Sequence, residues 1–166
     1  MKKSATINCL AVFTLVFGVT GCQQNTHRPS IETDDQPISV YARYAPIKIR
    51  IIPLTKFDLP ENKIHLYVSL LDSFNSQIKA PAVFRFEIYE KVQRSAEPKG
   101  KRIYHWQPDI DLTGLIENNN HWSDFLRAYE FKLDFEPKEN KSYILQVTSM
   151  LPNGKRLSAE IDLKSP

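Results

Sequence analysis

From Pro46 onward, apolar and polar residues alternate almost one for one. Ile47, Ile49 and Ile51 alternate with Lys48 and Arg50, and Ile64, Leu66, Val68 and Leu70 with Lys63, His65, Tyr67 and Ser69. Phe84, Phe86 and Ile88 alternate with Arg85, Glu87 and Tyr89, and the shorter "RIYHW" at 102–106 repeats the pattern. Tyr129, Phe131, Leu133 and Phe135 form the clearest stripe, followed by Tyr143, Leu145 and Val147, and finally by Leu157, Ala159, Ile161 and Leu163. A period of two sends every second side chain to the same face of a strand, so each stretch is predicted to be a half-buried β-strand.

Turn chemistry separates these runs: "PENK", "DSFNS", "EPKGK", "EPKEN" and "PNGK". Asn153-Gly154 in the last predicts a tight hairpin with positive φ values. Parallel strands need crossover helices, and the spacers are too short to hold them. The pattern therefore predicts an all-β fold, an antiparallel β-sandwich of about seven strands, over residues 45–166.

Residues 107–127 break the alternation with Pro108 and three consecutive asparagines, Asn118 to Asn120. "WSDFLRAY" predicts a helical turn, because Trp122, Phe125, Leu126 and Tyr129 fall on one helical face. Trp122 and Phe125 are expected to plug one end of the sandwich. Loops of this length in compact domains are often functional, which makes the segment a candidate site.

Composition adds limits. The chain has 166 residues, 42% hydrophobic and 25% charged, the balance of a globular domain of ordinary size. From Cys22 onward there are 20 Lys and Arg against 19 Asp and Glu, interleaved throughout. No basic face of the kind that reads nucleic acid is predicted, and no nucleic-acid partner is expected. The two cysteines are Cys9 and Cys22. Past residue 22 the chain therefore holds no disulfide, cysteine zinc site or thiol nucleophile.

The first 21 residues read as an export signal: Lys2 and Lys3, an apolar stretch from Ile7 to Val19, and the small Gly21 before Cys22. The 13 residues of that stretch fall short of the about 20 that span a bilayer. Val19-Thr20-Gly21-Cys22 resembles the lipobox of bacterial lipoproteins. The resemblance implies that the Cys22 thiol receives a diacylglyceryl group and that the chain is cut just before it. Two or three acyl chains hold a protein stably where one does not. Gln23 stands where some envelopes use Asp to retain lipoproteins at the inner membrane, which implies the outer membrane in a cell that has one. Residues 22–44 then form a lipidated cysteine and a polar tether, whose coil span is roughly 25 Å.

"FEPKENKSYILQV" resembles the corner of fibronectin type III and related immunoglobulin-like domains, where a proline-containing turn precedes a tyrosine. That resemblance implies a bond from Tyr143 back across the corner. Transthyretin-like and C2-like sandwiches are the alternatives.

Candidate chemistry is sparse. Asp109, Asp111 and Thr113 ahead of Gly114 look like the first half of a calcium loop, but position twelve is Asn120 and Ile110 and Leu112 are apolar. Asx-type turn bonding is the favoured reading. His27, His65, His105 and His121 show no zinc-helix spacing, no serine lies in a nucleophile elbow, and no glycine run cradles phosphate, so no cofactor is expected. Tyr67 and Tyr89, on nominal outer faces, are candidates for an aromatic patch that takes a carbohydrate or protein, with Trp122 a further candidate. The expectation is a non-catalytic binding or structural module, anchored to the envelope membrane through Cys22 and meeting an envelope protein. The alternatives are an accessory subunit of an envelope or secretion complex, pairing through "ISVYARYA", and an envelope enzyme with a composite site in 107–127.

Overall fold

The computed structural model describes residues 44–165. The signal segment, Cys22, the tether to residue 43 and most of "ISVYARYA" lie outside the described residues. The sandwich lies within a compact unit, Gln36–Pro166.

All seven alternating stretches form strands: β1 (Lys48–Ile51), β3 (Lys63–Leu71), β5 (Val83–Lys91), β6 (Lys99–His105), β9 (Ala128–Asp134), β10 (Ser142–Met150) and β11 (Arg156–Lys164). Four short ones that the alternation did not announce complete the set: β2 (Lys56–Asp58), β4 (Gln77–Ile78), β7 (Ile110–Asp111) and β8 (Trp122–Ser123). One sheet runs β1-β3-β9-β8, with β2 and β4 also on β3, and the other runs β11-β10-β5-β6, with β7 also on β5. Every pairing is antiparallel.

Two of the extra strands are continuations. β1 and β2 follow the same edge of β3, with Ile51 opposite Val68 and Lys56 opposite His65. Pro53, which has no N–H to give, interrupts them. Across the gap the Tyr67 N–H donates to Thr55 Oγ1 at 3.1 Å, so a side chain stands in for the missing carbonyl. β6 and β7 likewise follow one edge of β5 and break around Pro108. Counted as continuous, the long strands number about seven, first, second and fifth in one sheet and seventh, sixth, third and fourth in the other. This is an immunoglobulin-like strand order.

The inward positions are those the alternation marked. Ile64, Leu66, Val68 and Leu70 of β3 face Phe84, Phe86 and Ile88 of β5 and Leu145 and Val147 of β10, all buried. Phe84, Phe86, Tyr129 and Phe131 form a tilted aromatic cluster, with centroids 4.8 Å apart for Phe86 and Phe131. Ile47 departs from the pattern: it precedes β1 and is 50% exposed, although its N–H donates to the Leu71 carbonyl at 2.8 Å.

Two corners repay comparison with the sequence. The Lys138 N–H donates to Tyr143 Oη at 2.8 Å, the cross-corner bond that the resemblance implied. At the β10–β11 hairpin only Gly154 has a positive φ, +79°. The Gly154 N–H bonds the Leu151 carbonyl and the Leu151 N–H bonds that of Lys155, so the loop is a three-residue turn opened by Pro152. Proline fixes its own φ near −65° at the first turn position, which moves the left-handed residue to Gly154 alone.

Removing the corner bond leaves the Lys138 N–H without its protein partner. Tyr143→Phe is expected to lower unfolding free energy by about 1 kcal/mol, read as a lower urea midpoint with unchanged slope.

Candidate functional site

The segment that breaks the alternation is organised by hydrogen bonds from its polar side chains. It follows the edge of β5 as β7, then forms a short helix α1 (Leu115–Asn120). The helix lies earlier than predicted. "WSDFLRAY" is a hairpin instead, in which Trp122 pairs with Tyr129 and Ser123 with Ala128. Both periodicities place Trp122 and Tyr129 together, but here they meet across a ladder, with rings 5.1 Å apart and edge-on. Arg127, at φ 49°, turns the hairpin. Trp122 packs against the core, whereas Phe125 is 95% exposed and plugs nothing.

Asn118 is the tie. Its amide donates to the carbonyls of Leu112 at 2.7 Å and Ala80 at 3.1 Å, and its Oδ1 lies 3.1 Å from Tyr129 Oη. Tyr129 Oη also donates to the Ala80 carbonyl at 2.8 Å and accepts from the Ala80 N–H at 2.9 Å. Asn119 and Asn120 are exposed, so only one of the three asparagines is structural in this way. A hollow of about 430 Å³ remains between Lys79–Pro81 and α1.

The residues of the calcium-like stretch part company. Asp109 meets Arg85 through two parallel contacts, Nη2 to Oδ2 at 2.9 Å and Nε to Oδ1 at 3.2 Å, and His105 Nε2 stands 3.6 Å from the same carboxylate. The Arg85 bonds hold the Asp109 carboxyl below the usual range. Asp111 Oδ1 instead accepts from the Thr113 N–H at 2.8 Å and hydroxyl at 2.7 Å, an Asx turn, and these bonds lower its carboxyl too. Both carboxylates thus have partners within the fold. Around them Val83, Arg85, His105, Gln107, Asp109 and Asp111 line an open depression of about 770 Å³.

The two candidate tyrosines lie on the outer faces of different sheets and share no surface. Tyr67 on β3 stands opposite Glu130, and burial, then that carboxylate, raises its phenol. Tyr89 on β5 lies under the Lys99 ammonium, 4.3 Å from the ring centroid, and Lys99 also reaches Gln146 and Glu160. Burial raises the Tyr89 phenol as well, followed by Glu87.

One grouping escaped sequence reasoning. Asp58, Glu61 and His65, across the β2–β3 hairpin, bring one ligand atom each to within 4.8 Å of one another. Asp58 Oδ2 is 3.2 Å from His65 Nε2, and Glu61 pairs with Lys63 at 3.4 Å. Their donor set suits zinc or a similar ion. The signal was the spacing of an acid at each side of a turn and a histidine on the returning strand, which the one-for-one alternation masked. His121 is occupied otherwise, with Nδ1 2.9 Å from the Glu130 carbonyl.

The fold thus defines an all-β protein of immunoglobulin-like sandwich architecture. No protein-family model, curated protein or solved structure matches the chain.

Two outcomes follow from these bonds. Asn118→Ala is expected to cost about 1–3 kcal/mol, since it strips partners from buried carbonyls, while Asn119→Ala stays within about 0.5 kcal/mol; thermal or urea unfolding reads both. Asp109→Asn is expected to cost about 1 kcal/mol at neutral pH, allowing for the solvent around Arg85. The folded-state carboxyl is depressed, so its stabilisation is present above the unfolded value of about 3.9 and is lost as pH falls through the lower folded value. Unfolding curves of the two proteins should therefore converge as pH falls below the unfolded value of about 3.9; a constant gap at every pH contradicts the ion-pair account.

Proposed function

We propose that this protein is an envelope lipoprotein: Cys22 carries the lipid, a polar tether follows, and the sandwich acts as a non-catalytic binding or structural module. The observation that carries the reading is Val19-Thr20-Gly21-Cys22 at the end of a short apolar stretch, ahead of a polar segment and then a domain with its own core. Two or three acyl chains anchor a domain at a bilayer without a spanning helix. Among the described residues no helix is long and apolar enough to cross a membrane. Support for a module over an enzyme comes from the 107–127 segment, where Asp109, Asp111 and His121 are engaged in bonds that hold the fold: Asp109 with Arg85, Asp111 with Thr113, and His121 with the Glu130 carbonyl. The fibronectin type III likeness is supported by the strand order and by the Tyr143 corner. In a cell with two membranes, Gln23 in place of Asp supports the outer membrane.

Cys22→Ser is expected to abolish incorporation of a fatty-acid analogue and to release the protein from lipid-anchored membrane fractions. Undiminished incorporation overturns the anchor.

A further inference from the structure

One end of the sandwich differs from the rest of its surface. Strand registers put five connections there: the chain ahead of β1, since Lys48 lies opposite Leu71; the 72–76 turn after β3; α1; the 124–127 turn after β8; and the 151–155 turn after β10, since Met150 lies opposite Val83. Asn118 and Tyr129 bind α1 and β9 to Ala80 at the same end. The large apolar side chains exposed by more than 70% among the described residues all belong to these connections: Phe125 95%, Leu115 90%, Phe74 86%, Tyr44 76% and Ile116 71%. Elsewhere the most exposed is Leu54, at 55%.

Five cations and four carboxylates share this end. Lys48, Lys79, Arg127, Lys155 and Arg156 are exposed there, and none takes part in an ion pair among the described residues. Lys79 donates to Asn119 Oδ1 at 2.7 Å and Arg127 to the Gln77 carbonyl at 3.1 Å, so both heads are held beside the apolar tips. Of the acids, Asp72 accepts from the Phe74 and Ser76 N–H groups, Asp111 from Thr113, and Asp124 from Trp122 Nε1. Glu117 folds back toward Gly114.

Apolar tips with cations beside them, on one end of a rigid domain, are what an interfacial contact requires. The tips enter the boundary of headgroup and acyl chain, and lysine and arginine heads stay at the anionic surface. The chain leading back to Cys22 joins the sandwich at this same end. We propose that this end docks on the anionic lipid surface to which Cys22 is anchored, with Phe74, Leu115, Ile116 and Phe125 entering the interface. Docking sets the domain upright and leaves the opposite end, with the Asp58–Glu61–His65 grouping, facing away from the bilayer. The occupant and orientation rest on the lipoprotein reading; the composition of the end does not.

The test uses the mature, membrane-anchored full chain. With Cys22 acylated it has no free thiol, so Phe125→Cys and, at the opposite end, Glu139→Cys each offer one site for an environment-sensitive fluorophore. In vesicles of phosphatidylethanolamine and phosphatidylglycerol, the fluorophore at position 125 is expected to shift to the blue and to be quenched by brominated acyl chains. At position 139 it stays aqueous. Adding Leu115→Ser and Phe74→Ser should abolish the shift, and neutral phosphatidylcholine should weaken it. An aqueous signal at 125 while Cys22 is acylated by intact mass overturns docking and leaves the anchor standing. A second fluorophore on a chain whose intact mass lacks the acyl groups reports a free Cys22 and overturns the anchor; docking is then decided by the same signal in Cys22→Ser protein mixed with the vesicles. A shift that needs envelope proteins in addition to lipid overturns the proposal in favour of a protein surface.

Discussion

Two sheets with no disulfide between them must be held by packing, and the aromatic cluster between β5 and β9 is where that packing concentrates. Phe84 lies 5.2 Å from Phe131 and 5.4 Å from Tyr129, and Phe86 lies 4.8 Å from Phe131. Truncating one such ring in a close-packed core costs about 3–5 kcal/mol, set against a total of about 5–15 kcal/mol for a typical domain. Tyr129 belongs to both layers of organisation. Its ring completes the cluster, and its hydroxyl fixes Ala80 and Asn118, which position α1 and the end connections. The exposed tips are therefore held by the same residue that closes the core.

The outer face of one sheet engages many of its charges within the fold. Lys91 pairs with Asp162, Lys99 with Glu160, Arg102 with Glu87 and Arg85 with Asp109, all on the sheet that carries Tyr89. Such pairs contribute little stability individually in solvent, but they leave that face without free cations at the paired positions and with its central tyrosine covered by Lys99. Arg50, Lys56, Lys101, Lys132 and Lys164, exposed on the strands, also have no ion pair among the described residues, whereas the large apolar side chains exposed by more than 70% all lie on the connections at one end. A functional reading follows from that concentration of exposed apolar side chains at one end.

Much of the fold was legible in sequence because strand periodicity is local. Every long strand coincides with an alternating run, and Ile64, Phe84, Phe131 and Leu145 are buried where the alternation put them. The breaks at Pro53 and Pro108 follow from chemistry visible in the chain, though β2 and β7 beyond them are too short to show a period. The 107–127 segment was misread in part, because Trp122 and Tyr129 are seven positions apart and satisfy a helical face and a hairpin register alike. Only the partner strand decides between those. The candidate tyrosines illustrate the same limit, since alternation shows that both point outward but not that their sheets face opposite ways.

What the sequence determined by itself is the set of long strands, their inward faces, the absence of cysteine after Cys22, and the lipobox-like motif with the polar segment that follows it, each a matter of residues near in the chain. The tertiary structure alone decided what distant residues share: Arg85 with Asp109, Asn118 with Ala80 and Tyr129, and Phe74, Leu115 and Phe125 at one end of the sandwich. These juxtapositions depend on sheet order and register, which no local pattern encodes because each strand alternates in the same way whichever neighbour it finds.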